Sequence, residues 1–256
     1  GNYIERGEVS GANFLEDYIY VYARYRVAYK KPFETINSDR LFNNLLSSQP
    51  MAFNLFCPLR KMLCESVEKA TKVLRYALPD IGRVTDVDLE FIPDNYSELT
   101  GDRSAMDAII RYVDSENRES FIAIETKYSE NLGTNEASNK DKSMQLIKEL
   151  GCFRCNVEQE IKLSQIYRNF LLSEAYGRHI GAESYSLIIS PKEHPSTVDE
   201  WRSVVDELTP EYRHKLQTLS LEEFVGRLIS YSTGEYKITF ERFYDRYLRF
   251  DKSCGY

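Results

Sequence analysis

The chain has 256 residues, a net charge of −7 and a pI near 5.2, with 42% hydrophobic and 13% aromatic residues. That is enough apolar mass for a sizeable core, and it excludes a disordered or low-complexity chain. The acidic balance counts against a general nucleic-acid binder, and no apolar run or signal pattern suits a membrane, so a soluble, cytoplasmic protein is expected.

Residues 14–31 carry Tyr18, Val21, Tyr22, Tyr25, Ala28 and Tyr29 at the spacing of one helical face, and Pro32 ends the pattern. Arg24 and Lys31 lie on another face with Tyr20 and Val27. An amphipathic packing helix with solvated cations is favoured over a basic-aromatic surface for nucleic acid. Residues 41–48 read as a short helix and 51–76 as a long one, with Pro58 as a kink or its true start. A turn follows at 78–82. Residues 86–92 (DVDLEFI) alternate as a half-buried strand. A polar loop at 93–103 leads to a second strand at 105–113 (AMDAIIRYV). A hairpin-length turn at 114–119 leads to a third at 121–128 (FIAIETKY). Short links between three consecutive strands predict an antiparallel meander.

A polar stretch at 134–141 precedes helices over 142–150 and 157–176, the second stopped by Gly177. Residues 185–189 (YSLII) form a short strand closed by Pro191, and helices over 198–208, 221–230 and 238–249 complete the chain. The order predicts an α/β (α+β) fold with a mixed central β-sheet of about four strands and helices added at both termini. Five cysteines include one CxxC, Cys152 and Cys155, with no second pair to complete a zinc site. Cys57 and Cys64 are seven apart, and His179, His194 and His214 show no ligand spacing, so these residues read as structural.

Alternation puts Phe121, Ala123, Glu125 and Lys127 on one face of the third strand, and Ile122, Ile124, Thr126 and Tyr128 on the other. In the second strand Asp107 stands between apolar Met106 and Ala108, where an isolated carboxylate is costly. A hairpin can bring Asp107 beside Glu125. Two such carboxylates repel each other, and a divalent cation resolves the conflict. Mg²⁺ takes one or two carboxylates and keeps several waters. Asp107, Glu125 and the main-chain carbonyl of Thr126 are its candidate ligands, with Mn²⁺ as a substitute. Lys127 would then orient a water or offset charge on a phosphorane. The residues alone leave a second reading open: a surface Glu125–Lys127 ion pair, with Asp107 a turn or edge residue.

GDRSAMDAIIRY (101–112) followed by FIAIETKYSE (121–130) resembles the core of the PD-(D/E)XK, restriction-endonuclease-like nuclease superfamily. LLSSQPMAFNLFCPL (45–59), LSQIYRNFLLSEA (163–175) and LEEFVGRL (221–228) resemble one bacterial branch of it. The resemblance covers about residues 45–250. It implies an α-β-β-β-α-β core within a single domain, 1–256, in which 1–44 is a helical extension, 45–192 the nuclease core and 193–256 a helical part. It implies Asp107, Glu125 and Lys127 on the motif positions of a Mg²⁺-dependent nuclease. DNA is the expected substrate, in a restriction, defence or repair role, and a homodimer is the form that restriction-type enzymes often take. Met106 stands where the superfamily has its eponymous proline.

Some relatives carry an acidic residue on the helix before the sheet, and Glu65 is its nearest match here; Glu90 on the first strand is another candidate outer ligand. Related nucleases often use a Gln or a basic residue of the following helix to steady the site or touch a phosphate, which implies such a role for Gln165, with Arg168 one turn on and Asn169 as an equivalent choice; an ordinary amphipathic helix with Ile161, Phe170 and Leu171 inward is the equal alternative. Gln49 and Asn54, polar within an apolar segment, are expected to serve as structural support. The alternative is a non-catalytic nucleic-acid-binding or assembly subunit that keeps the fold, which the acidic charge favours.

Overall fold

The structure, a computed structural model, describes residues 2–78, 80–129, 140–154 and 164–249. Five helices open the chain: α1 (Gly7–Ser10), α2 (Asp17–Ala28), α3 (Ser38–Asn43), α4 (Ser48–Glu65) and α5 (Val67–Ala77). Then come β1 (Arg83–Phe91), α6 (Tyr96–Leu99), β2 (Met106–Val113), β3 (Glu119–Thr126), α7 (Lys140–Leu150), α8 (Gln165–Ile180) and β4 (Glu183–Ser190). The last elements are α9 (Pro195–Glu207), α10 (Pro210–Arg213), β5 (Leu216–Ser220), α11 (Leu221–Tyr231) and α12 (Gly234–Tyr247).

The strands form one mixed sheet in the order β1-β2-β3-β4-β5. β1, β2 and β3 pair antiparallel, as their short links require, whereas β3–β4 and β4–β5 pair parallel across helical crossovers. Alternation divides the sheet between two apolar layers. Ala108, Ile110, Ile122 and Ile124 join the large core built with α4, α5, α11 and α12. Ile109, Phe121 and Ala123 meet Leu172 of α8 on the opposite face. A third cluster, with Ile147, Phe170, Val204 and Leu216, packs α7, α8, α9 and β5 together.

Several expected elements change. The long helix over 51–76 is two helices, because Ser66 is extended (φ −159°) and its hydroxyl caps α5 by accepting from the Lys69 N–H. Pro58 neither starts nor ends α4 but lies inside it, on a helix whose packing outweighs the lost hydrogen bond. α2 is shorter than expected and buries Ile19, Ala23 and Arg26, while Val21, Tyr25 and Tyr29 face solvent. Ile19 and Ala23 fill the core side of α2, Tyr18, Tyr20 and Tyr22 pack partly against it, and only Tyr25 and Tyr29 of its tyrosines lie exposed. Gly177 sits within α8, which ends instead at Gly181 in the left-handed region (φ 70°). A Cβ at Gly177 would come within 2.9 Å of the Ala182 carbonyl oxygen and the Ser184 Cβ, so this glycine serves close packing on β4. β5 adds a fifth strand, short and at the sheet edge, where only helix was expected after 190. Cys155, residues 157–163 of the expected helix and most of the polar stretch 134–141 lie outside the described residues.

Asn54 takes the structural role expected of it. Its side-chain oxygen accepts from the Leu15 N–H at 2.9 Å, and its amide donates to the Asn13 carbonyl (2.9 Å) and the Tyr247 hydroxyl (2.8 Å). Among the described residues no helix is long and apolar enough to cross a membrane.

Candidate active site

The sheet register assembles the site. Ala108 of β2 lies opposite Ile124 of β3, so one step further along the same register Asp107 stands level with Glu125. Asp107 Oδ2 accepts from both the Thr126 N–H and the Thr126 hydroxyl, each at 2.7 Å. Lys127 extends β3 by one residue, its N–H donating to the Ile189 carbonyl at 2.8 Å. Glu125 and Lys127 therefore share the face that α8 covers, and Lys127 Nζ lies 2.7 Å from Glu125 Oε1.

The first turns of α8 complete the arrangement. The Gln165 amide bridges the pair: Oε1 accepts from Lys127 Nζ at 2.8 Å and Nε2 donates to Glu125 Oε1 at 2.6 Å. One turn on, on the same helical face, Asn169 Nδ2 donates to Glu125 Oε2 at 2.6 Å. Glu125 and Lys127 are each only 5% exposed, so this is a buried, fully hydrogen-bonded pair and not a solvated surface ion pair.

Glu90 of β1 is the third carboxylate of the cluster. Its backbone is in the left-handed region (φ 50°), uncommon for a non-glycine residue, where the ladder passes from the Leu89–Ala108 pair to the Phe91–Met106 pair. Burial pushes the Glu90 carboxyl up to about 7, and the Glu125 charge adds to this; a Gln49 hydrogen bond and the charges of Arg26 and Arg40 oppose it. Asp107 is raised well above its ordinary value, first by burial, then by the charges of Glu125 and Glu90, against the pull of Lys127 and the Thr126 N–H. Burial and neighbouring negative charge thus oppose ionisation of both Glu90 and Asp107.

Glu65 is not among them. It pairs with Lys61 and the Tyr236 hydroxyl at the far end of α4, roughly 25 Å along the helix from Gln49. The α4 residue that reaches the cluster is Gln49, at the helix start, which also accepts from the Asn37 N–H at 3.3 Å. Arg168 reaches Asp102 in the loop before β2, at 3.4 Å. Asn169, weighed in the sequence only as an equivalent of Gln165, joins Gln165 in holding Glu125. Their i, i+4 spacing is the signal that the two act together.

Among the described residues no three His, Cys, Asp or Glu side chains form a ready-made metal cage. The donors nevertheless suit an oxygen-seeking divalent cation, which takes one or two carboxylates and keeps its waters. Asp107 Oδ1 accepts from no donor among the described residues. Asn169 Oδ1 is buried and has no hydrogen-bond partner among the described residues.

A family model described as the PD-(D/E)XK nuclease superfamily matches residues 1–249. The match includes the first 44 residues, which the quoted motifs do not reach. No curated protein and no solved structure matches the chain.

Proposed function

This chain belongs to the PD-(D/E)XK nuclease superfamily, and on that premise we propose that it is a Mg²⁺-dependent nuclease hydrolysing phosphodiester bonds in DNA, in a restriction, defence or repair role. The observation that carries the reading is the cluster of Asp107 and Glu125 at the ends of paired strands, with Lys127 and Gln165 closing it from one face. We further propose the cytoplasm as its location, one domain over 1–256, and a homodimer as the form that cuts both strands.

Asp107, Glu125 and the Thr126 carbonyl would hold the cation, with Mn²⁺ able to replace Mg²⁺. When bound, it supplies Lewis acidity at a phosphate oxygen and makes a water more acidic. Thr126 fixes one Asp107 oxygen and leaves the other to the cleft. Lys127 places a fixed positive charge where negative charge builds on the phosphorane, or orients the attacking water, and its loss is expected to slow cleavage by roughly 10²–10³-fold. Gln165 holds the Lys127 ammonium and the Glu125 carboxylate in register through one rigid amide. Asn169 fixes the second Glu125 oxygen, so the carboxylate cannot rotate out of the cleft.

The test is cleavage of plasmid, linear duplex, single-stranded DNA and RNA by purified protein with Mg²⁺ or Mn²⁺. The proposal expects cutting of DNA that Asp107→Ala abolishes; no cutting of any substrate would defeat it. A non-catalytic binding or assembly subunit is the second reading. It is favoured by the internal bonds that already engage both Glu125 oxygens. Calorimetric titration with Mn²⁺ separates the two, because a non-catalytic relative has no site that depends on Asp107 and Glu125.

A further inference from the structure

Arg26 is a buried cation of α2 that the proposed chemistry does not use. Its guanidinium donates to the Leu89 carbonyl and, at 3.3 Å, to the Glu90 carbonyl. The same group contacts Asp88 Oδ1 at 3.0 Å and Glu34 Oε1 at 3.2 Å. Asp88 is tied in turn to the Tyr22 hydroxyl (3.1 Å) and to the Leu89 N–H (2.9 Å). These bonds converge on Leu89 and Glu90 of β1, and Glu90 is the one with positive φ.

An L residue other than Asn or Asp resists that conformation, and nothing in the Glu90 side chain favours it. The register is the same on either side, Leu89 with Ala108 and Phe91 with Met106, so Glu90 stands level with Asp107 despite its positive φ, and its carboxylate is buried near Gln49, Asp107 and Glu125. A planar guanidinium with several donors is suited to hold two successive carbonyls and two carboxylates at once, and an ammonium is not.

We propose that Arg26 is a positioning residue of the nuclease site, clamping the left-handed turn at Leu89–Glu90 so that the Glu90 carboxylate faces the cation held by Asp107 and Glu125. This rests on the metal-site reading above. It assigns the N-terminal helix α2 a part in the site: without the clamp, the strained backbone at Glu90 relaxes and its carboxylate leaves the position it holds beside Asp107.

The experiment is calorimetric titration of full-length protein with Mn²⁺ near pH 8, for wild type, Asp107→Ala, Glu90→Gln, Arg26→Lys and the double variant Arg26→Lys/Glu90→Gln. Glu90→Gln and Arg26→Lys are each expected to weaken Mn²⁺ binding about tenfold or more, as the loss of an outer partner does at metal sites. The double variant is expected to bind no more weakly than Glu90→Gln alone, because both changes remove one contribution. Wild-type affinity in Arg26→Lys, or losses that multiply in the double variant, would overturn the proposal. If Arg26→Lys does not fold, Glu90→Asp decides: it keeps the charge but shortens its reach, and wild-type affinity there overturns the positional claim. Unchanged binding in Asp107→Ala would instead defeat the metal-site reading itself.

Discussion

Replacing Glu90 with glutamine removes a buried acid whose ionisation the fold opposes, and the consequence can be worked out with its sign. In the folded protein the Glu90 carboxyl is pushed up to about 7, against an ordinary value of 4.5. The folded state therefore holds this proton more tightly than the unfolded chain does. The resulting stability is fully present below about 4.5 and is lost as pH rises through about 7. At about pH 8 the wild type bears the full cost of an ionised carboxylate beside Asp107 and Glu125, on the order of 3 kcal/mol. Glu90→Gln escapes that cost. In a metal-free buffer it should melt roughly 6–12 °C above the wild type near pH 8, with the gap closing toward pH 4.5. Saturating Mn²⁺ should narrow the gap at high pH, because a cation offsets the charge that glutamine lacks. Thermal melts by circular dichroism across this pH range, with and without Mn²⁺, provide the measurement. A variant that melts at or below wild type near pH 8, or an offset that is constant with pH, would refute the reasoning.

Lys127→Met strips the buried Glu125 of its cation; it should cost about 3–5 kcal/mol in denaturant unfolding as well as slowing cleavage by roughly 10²–10³-fold. Gln165→Ala and Asn169→Ala each remove a charged hydrogen bond from Glu125 and should each cost about 1.5–3 kcal/mol. Both should lower kcat more than they weaken DNA binding, as single-turnover cleavage and a binding titration can show. Asn54→Ala leaves the Leu15 N–H, the Asn13 carbonyl and the Tyr247 hydroxyl short of partners. A loss of about 2 kcal/mol in stability with Mn²⁺ affinity unchanged is expected there, and altered affinity would count against its purely structural role.

The strand alternation in 86–92, 105–113 and 121–128 was enough to read the antiparallel meander and the shared face of Glu125 and Lys127. Period-2 patterning is a direct consequence of pleated geometry, so it survives without tertiary information. β5 was not legible because five residues with one deeply buried leucine show no period, and its pairing with β4 depends on a crossover that no local pattern encodes. The outward face of α2 was misread for a related reason. Its tyrosines count as apolar, yet the buried positions are Ile19, Ala23 and an arginine whose charge is met by Asp88 and Glu34. Glu65 matched an expected acidic position on the helix before the sheet, but the direction of α4 puts Gln49, not Glu65, at the cluster. The turn at Glu90 was invisible in DVDLEFI, since the residue has no local preference for positive φ and is held by contacts from α2 and α4. Gln165 was anticipated through family resemblance, whereas its bridging of Lys127 and Glu125 emerges only when α8 is laid across β3.

The most direct measurement of the central claim is a crystal structure of the protein soaked with Mn²⁺, with the ion located by its anomalous scattering. The account predicts one strong peak between the carboxylates of Asp107 and Glu125, with Lys127 directed into the same cleft and Glu90 facing the ion. A well-ordered structure with no manganese at those carboxylates, or with manganese only elsewhere on the protein, would contradict it.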